Sequence, residues 1–179
     1  MEKSTLKHII LDQKENFERK TKIVERKINE AALSSDKIIV ITGIRRSGKS
    51  TLLRQLSRGY TDYAYINFEE DRLINFKAED FQALFESFLE INPKIKTYFF
   101  DEIQNIPGWE KFARRLFTEN NKLFVTGSNS KLLSSEIAST LTGRNLKIEL
   151  FPFSFKEYLR YQDIDTKNDY TTKEKVMLQ

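Results

Sequence analysis

The stretch from residue 38 to residue 51 constrains the fold of this chain more than any other. Residues 38–41 are β-branched and apolar, which is typical of a strand covered on both faces of a sheet. Residues 43–50 then fit the pattern G-x-x-x-x-G-K-S at every fixed position. Leucines at helical spacing follow in residues 52–56. The stretch therefore predicts a buried strand, a tight glycine loop and a helix in direct succession.

Each fixed position of this loop has a physical reason to bind phosphate. The glycines let backbone N–H groups approach phosphate oxygens, and the helix that follows points its positive end at the same anion. The ammonium group of Lys49 can reach the outer phosphates, and the hydroxyl of Ser50 can ligate Mg²⁺. The residues predicted to bind a nucleoside triphosphate are contiguous: Gly43, Ile44, Arg45, Arg46, Ser47, Gly48, Lys49, Ser50 and Thr51.

Composition sets outer limits on the function. The chain has 179 residues, of which 39% are hydrophobic, enough for one globular domain with a real core. No apolar run approaches the ~20 residues that a membrane span needs, and the absence of cysteine excludes disulfides and thiolate metal sites. Thirty basic and 26 acidic residues indicate a mixed, solvated surface that is only compatible with nucleic acid. We expect a cytoplasmic protein without a membrane span.

Strands and helices alternate through the rest of the chain. Strands are predicted over residues 38–41, 63–68, 97–102, 122–126 and 146–151. Helices are predicted over residues 4–33, 49–58, 80–89, 109–118, 131–141 and 154–161. This alternation indicates an α/β protein, a three-layer α/β/α sandwich around a mostly parallel five-stranded sheet. In such sheets, ligands bind beyond the carboxyl ends of the strands.

Two adjacent acids at the end of the third predicted strand supply the second half of the candidate site. The carboxylate of Asp101 can orient Mg²⁺ beside Ser50, and that of Glu102 can polarise an attacking water as general base. Glu102 favours hydrolysis over transfer to another acceptor and so disfavours a small-molecule kinase. A GTPase is also disfavoured, because the Asn121-Lys122 pair lacks the aspartate that recognises guanine. The alternative is a strand that ends in two solvated acids.

Two further residues are candidates for contact with the γ-phosphate. A polar side chain at the end of the fourth strand can hydrogen-bond this phosphate or the attacking water, and of Ser128 and Asn129 we nominate Asn129. The alternative is a turn that caps a helix at Ser130. Arg144, just before the fifth strand, can stabilise the charge on the transferring phosphoryl group, usually across a subunit boundary. The alternative is a surface arginine near a helix C-terminus.

Five segments of the chain resemble a known family. They are GIRRSGKSTLL, YINFEED, YFFDEIQNIPGWEKFARRL, LFVTGSNSKLLSSEIASTLTGR and ELFPFSFKEYL, and the resemblance as a whole extends over roughly residues 20–161. In these segments the chain is similar to the AAA-type ATPase domain of many bacterial and archaeal proteins, which has a RecA/AAA-like P-loop NTPase fold. The resemblance implies binding and slow hydrolysis of ATP with Mg²⁺.

The same resemblance implies a division of the chain. Residues 1–33 are interpreted as an N-terminal helical extension and residues 34–161 as an AAA-like P-loop ATPase core. Residues 162–179 form a polar tail. Members of the family often carry a C-terminal domain of uncharacterised function and are about twice as long, so we interpret this tail as the start of such a region.

Two functions follow from these observations. The first is an ATPase that acts as a motor or a conformational switch, with a homo-oligomer as a candidate assembly. The alternative is a nucleotide-gated DNA-binding module with little or no turnover. Basic residues keep this alternative open, namely Arg45, Arg46, Lys111, Arg114 and Arg115. A solvated helix face explains the last three equally well, and the sequence names no physiological partner, whether DNA or protein.

Overall fold

The computed structural model describes residues 1–128 and 141–164. Five strands lie in these residues: β1 Ile38–Gly43, β2 Tyr63–Asn67, β3 Thr97–Asp101, β4 Lys122–Ser128 and β5 Asn145–Glu149. The helices are α1 Lys3–Glu18, α2 Glu30–Leu33, α3 Lys49–Ser57, α4 Phe81–Ile91, α5 Trp109–Thr118 and α6 Phe155–Tyr161. Single 3-10 turns occupy Asp71–Leu73, Ala78–Asp80 and Ile103–Asn105. Nearly all of the helix predicted over 131–141 lies outside the described residues.

The five strands form one sheet in the order β2-β3-β4-β1-β5. Every neighbouring pair is parallel, which confirms the predicted α/β sheet and extends it from mostly parallel to wholly parallel. β1 lies between β4 and β5, and all six of its residues are buried. The carboxyl ends of β1, β3 and β4 therefore meet at one edge of the sheet.

Helices cover both faces of this sheet. Side chains alternate along each strand, so successive residues belong to opposite faces. The core between the sheet and α1, α4 and α5 includes Val40, Tyr98, Phe100, Phe112 and Leu123. The core between the sheet and α3 includes Ile39, Ile41, Leu52, Phe99 and Phe124. The predicted three-layer sandwich is thereby confirmed.

The helix predicted over residues 4–33 is wrong in its length. α1 ends at Glu18, and residues 19–29, here called the strap, have no regular secondary structure. The side chain of Gln55 accepts a hydrogen bond from the Arg26 N–H and donates one to the Arg26 carbonyl, each at 2.8 Å. These groups therefore need no helical partners, and the strap lies along α3 instead.

α1 itself is part of the core. Leu6, Ile9 and Ile10 are almost fully buried in the first core, and Phe17 is buried in the second. The helix contacts α4 and the edge strand β2, so it covers one side of the sheet. Within the described residues, no helix combines the length and the apolar character that crossing a membrane demands.

Candidate nucleotide-binding site

The loop between β1 and α3 has the backbone shape that its glycines predict. Arg46 and Gly48 adopt left-handed conformations, with φ of 65° and 95°. α3 begins at Lys49, and no side chain of the described residues caps its N-terminus. The first N–H groups of a helix have no intrahelical partners. They therefore offer donors to an anion placed at this loop.

Gly43 is required by its neighbours. A Cβ atom on Gly43 would lie 2.4 Å from the Leu150 carbonyl oxygen and 2.6 Å from Ser47 Oγ. The first of these atoms belongs to the backbone and cannot rotate away. The close approach of β1 to the segment after β5 therefore demands glycine here. This packing requirement is separate from the phosphate binding that the sequence pattern predicts.

Lys49 is buried at the N-terminus of α3, with 5% of its side chain exposed. Its Nζ lies 3.2 Å from Glu102 Oε1, and it donates to the carbonyls of Ile44 and Gly43 at 3.3 and 3.4 Å. The ammonium group is thus held inside the loop by two of its own carbonyls. Its carboxylate partner is the residue predicted to act as general base.

Asp101 is fully buried at the end of β3. Its carboxylate accepts hydrogen bonds from the Tyr65 hydroxyl, at 3.3 Å, and from the Thr126 hydroxyl. Burial raises the pKa of Asp101, while the hydroxyls of Ser50, Thr126 and Tyr65 oppose that rise. A buried carboxylate beside the Ser50 hydroxyl is the hard oxygen donor set that suits Mg²⁺.

Glu102 leaves the sheet one residue earlier than predicted. Its backbone is left-handed, with φ of 51°, and its N–H donates to Thr126 Oγ1 at 2.9 Å. Gln104 Nε2 donates to Glu102 Oε2 at 2.6 Å. This turn directs the carboxylate towards Lys49, away from the path of the strand. A left-handed backbone is unfavourable for a glutamate. The hydrogen bond from the Glu102 N–H to Thr126 stabilises this backbone conformation.

A small cavity of about 160 Å³ lies between the loop and the ends of β3 and β4. It is lined by Arg45, Lys49, Glu69, Glu102, Gln104, Asn105 and Ser128. Its volume corresponds to a few water molecules at ~30 Å³ each. The cavity can therefore enclose a terminal phosphoryl group and an attacking water, while the rest of a nucleotide lies along the loop.

The structure brings most of the predicted site residues together, with the exception of Arg144. The contiguous residues 43–51 surround the N-terminus of α3, with Asp101 and Glu102 beside them. Ser128 pairs with Gly43 in the sheet and lines the cavity. Asn129, the nominated residue, lies outside the described residues.

Arg144 lies at the amino ends of the strands, opposite to the nucleotide loop. It is exposed, precedes β5, and its carbonyl accepts a hydrogen bond from the Ile38 N–H at 2.9 Å. β1 runs from Ile38 at that edge to Gly43 at the loop, a span of about 17 Å at ~3.3 Å per residue. Asn121 also lies at this far edge, where its side chain donates to the Leu116 carbonyl at the end of α5.

Sequence reasoning missed the residues that hold the two acids in place. Thr126 contacts both acids, and Tyr65 contacts one of them. Glu69 also lines the cavity and pairs with Arg45 at 3.4 Å. Period-two alternation puts Thr126 on the face of Phe124. However, its place beside Asp101 depends on the pairing of β3 with β4, which the sequence does not show.

The chain matches one known protein family and is similar in sequence to two uncharacterised proteins. Residues 35–159 match the family described as AAA domain. The chain is 44% identical over 178 residues to the uncharacterised protein MJ1544 of Methanocaldococcus jannaschii, in a match that covers 98% of this chain and 40% of that protein. An uncharacterised protein of Haemophilus influenzae is 38% identical over 147 residues, 75% of this chain and 36% of the relative. The chain therefore spans about two fifths of the length of these relatives.

Similar solved structures share much less with this chain. PCH-2 of C. elegans matches with a TM-score of 0.42 at 16% identity, over 84% of this chain and 42% of that one. Domain III of the Thermotoga maritima replication initiation protein DnaA matches with a TM-score of 0.48 at 18% identity, over 78% of this chain and 69% of that one. At these scores the likeness carries no weight for function.

Proposed function

Because this chain belongs to the family of AAA domains, we propose that it binds ATP at residues 43–51 and hydrolyses it with Mg²⁺, as a motor or a conformational switch. One observation carries the proposal. Lys49 and Glu102 lie 3.2 Å apart at the N-terminus of α3, next to a small polar cavity. A buried ammonium, a carboxylate and uncapped N–H groups are thus gathered where a terminal phosphate would lie.

The side chains divide the work of the reaction. Lys49 binds the outer phosphates, and the N–H groups at the start of α3 complete the cradle. Ser50 and Asp101 would hold Mg²⁺, which neutralises charge on the phosphates when it is bound. Glu102 polarises the attacking water as general base. A triphosphate competes with Glu102 for the Lys49 ammonium, so substrate binding releases the base for its role.

Two substitutions test this division. We expect Lys49→Ala to weaken ATP binding by about 10–100-fold, because a charge-assisted contact with phosphate is lost. We expect Glu102→Gln to keep ATP binding and to slow hydrolysis by about 10²–10⁴-fold, because the general base is removed. Isothermal titration gives the affinities for ATP and GTP, and phosphate release gives the rates.

Lys94→Ala is the matched control for these measurements, since Lys94 is exposed on the loop before β3 and should change neither quantity. Hydrolysis by Glu102→Gln at the rate of the unaltered protein would contradict the catalytic assignment. Failure of the unaltered protein to bind any nucleotide would contradict the whole proposal.

Arg144 fits the proposal only as a residue that serves a second copy. It is exposed and lies at the edge of the sheet opposite to Lys49, so it cannot reach the phosphates of its own chain. We propose that it acts in trans in a homo-oligomer. Arg144→Ala should then keep ATP binding and lose hydrolysis, and a mixture with Lys49→Ala should regain activity.

The rate of that mixture is compared with the sum of the separate rates. Arg114→Ala, which removes another exposed arginine, is the control for a change in charge alone. Hydrolysis by Arg144→Ala at the unaltered rate would exclude the role in trans and leave the remaining assignments standing.

A further inference from the structure

One arginine of the strap joins the nucleotide loop to the last described helix. The side chain of Arg26 is only 12% exposed, and its Nε lies 3.0 Å from Glu157 Oε1 on α6. Its Nη2 donates to the Phe151 carbonyl at 2.8 Å, and its Nη1 to the Ser47 carbonyl at 3.5 Å. The guanidinium also lies over the ring of Phe153, 5.4 Å from its centre. A single planar group thus contacts the loop, the segment after β5 and α6.

The backbone of Arg26 is anchored as firmly as its side chain. Gln55, on the helix that begins in the nucleotide loop, bonds both backbone polar groups of Arg26 at 2.8 Å. The strap is therefore bonded to this helix through the Arg26 backbone and to the loop at Ser47 through the guanidinium.

α6 buries little apolar surface within the part of the chain that the structure describes. It has seven residues, of which only Leu159 is buried, and Phe155 is 61% exposed. Glu157 accepts hydrogen bonds from Ser154 in a capping box and pairs with Arg26 through its other oxygen. A helix with so little apolar contact belongs to the less stable parts of a fold. Its polar contact with Arg26 is therefore one of the described contacts that fix its position.

We propose that Arg26 is a positioning residue that couples the occupancy of the nucleotide loop to the docking of α6. The proposal rests on the nucleotide binding proposed above and assigns to that site a mechanical output. Arginine suits the role because its planar fork presents several donors in different directions at once. A lysine ammonium is a point charge on a flexible stem and lacks this fixed, planar arrangement of donors. ATP bound at the loop fixes Ser47 and α3, which in turn fixes Arg26 and holds α6 in place.

Thermodynamic linkage makes this coupling measurable from both ends. If ATP strengthens the docking of α6 by some factor, then the docking of α6 strengthens ATP binding by the same factor. We expect a factor of about five, near the lower end of the usual range for allosteric coupling. A purely structural role for Arg26 would slow or speed local opening equally with and without ATP.

Hydrogen exchange of the amides in residues 153–161, with and without Mg²⁺-ATP, is the experiment. In the unaltered protein, ATP should slow exchange of these amides about fivefold. Glu157→Gln keeps the capping box, because glutamine also serves at that position, and it removes the charge that faces Arg26. This variant should bind ATP about fivefold more weakly, and its α6 should exchange at the same rate with and without ATP.

Arg26→Gln should lose the slowing of α6 amide exchange by ATP, and Arg160→Gln should keep it. Arg160 lies on the same helix 4.0 Å from Glu157, but its side chain is 45% exposed, so it is the matched control. ATP-dependent protection of α6 that survives in Arg26→Gln would overturn the inference and leave ATP binding intact. Absence of ATP binding in the unaltered protein would overturn both proposals, so the two failures are distinguishable.

Discussion

At the scale of single residues, Thr126 has more influence on the candidate site than its place in the sequence indicates. Its hydroxyl donates to Asp101 and accepts from the Glu102 N–H at 2.9 Å. We expect Thr126→Val to reduce stability by about 1–3 kcal/mol, because the buried Asp101 carboxylate loses one of its donors and the Glu102 N–H loses its acceptor. Hydrolysis should fall about tenfold or more through misplacement of the general base, with ATP affinity nearly unchanged.

Thr126→Ser keeps the hydroxyl and is the control for this substitution. Urea unfolding gives the stability, and phosphate release and isothermal titration separate the rate from the affinity. If valine at this position left the rate unchanged, the hydrogen bond to the Glu102 N–H would have no part in placing the base.

At the scale of elements, we expect the attachment of α6 to depend on pH through Glu157. Burial by itself would raise the pKa of Glu157. Hydrogen bonds from the Ser154 N–H and hydroxyl, together with the charges of Arg26 and Arg160, outweigh burial and lower this pKa below its usual range. A lowered pKa in the folded state gives stability that is complete above the usual carboxyl pKa of about 4.3 and is lost as pH falls through the lower, folded value.

The stability advantage of the unaltered protein over Glu157→Gln should therefore be largest near neutral pH, at about 1 kcal/mol, and should shrink in acid. Urea midpoints of both proteins at about pH 6 and about pH 3.5 measure it. A difference that grows as the pH falls would contradict the assigned direction of the pKa shift.

At the scale of the whole molecule, α1 belongs to the same packing unit as the sheet. Ile9 is 1% exposed in the core that also contains β1, β3 and α4. We expect Ile9→Ala to reduce the free energy of unfolding by about 2–5 kcal/mol, because it leaves a cavity in that core. Leu11 on the same helix is 50% exposed, so Leu11→Ala should change stability by less than about 0.5 kcal/mol. Denaturant unfolding should show a single transition for both variants.

Equal effects of these two substitutions would show that α1 is not integral to the core. A separate transition for α1 would support the division at residue 33 that the sequence suggests. We expect one transition because α1 contributes to both cores, with Ile9 in the first and Phe17 in the second.

The sequence by itself determined the nucleotide loop and the alternation of strands and helices. Both are local properties: residues 43–51 are contiguous, and periodicity is read within a single element. The predicted strands agree with the observed ones to within about two residues at each end, whereas the single helix over 4–33 was wrong. There the Gln55 side chain, remote in sequence, supplies hydrogen bonds that a helix would otherwise have made.

Only the tertiary structure decided which side chains surround the two acids, which edge holds Arg144 and what Arg26 joins. Each depends on the order and register of strands and loops that are far apart along the chain. Thr126 and Asp101 meet because β4 pairs with β3, and Arg26 reaches Ser47 and Glu157 because the strap crosses α3. Such pairings arise from the packing of both apolar faces of the sheet at once, which no local pattern of residues encodes.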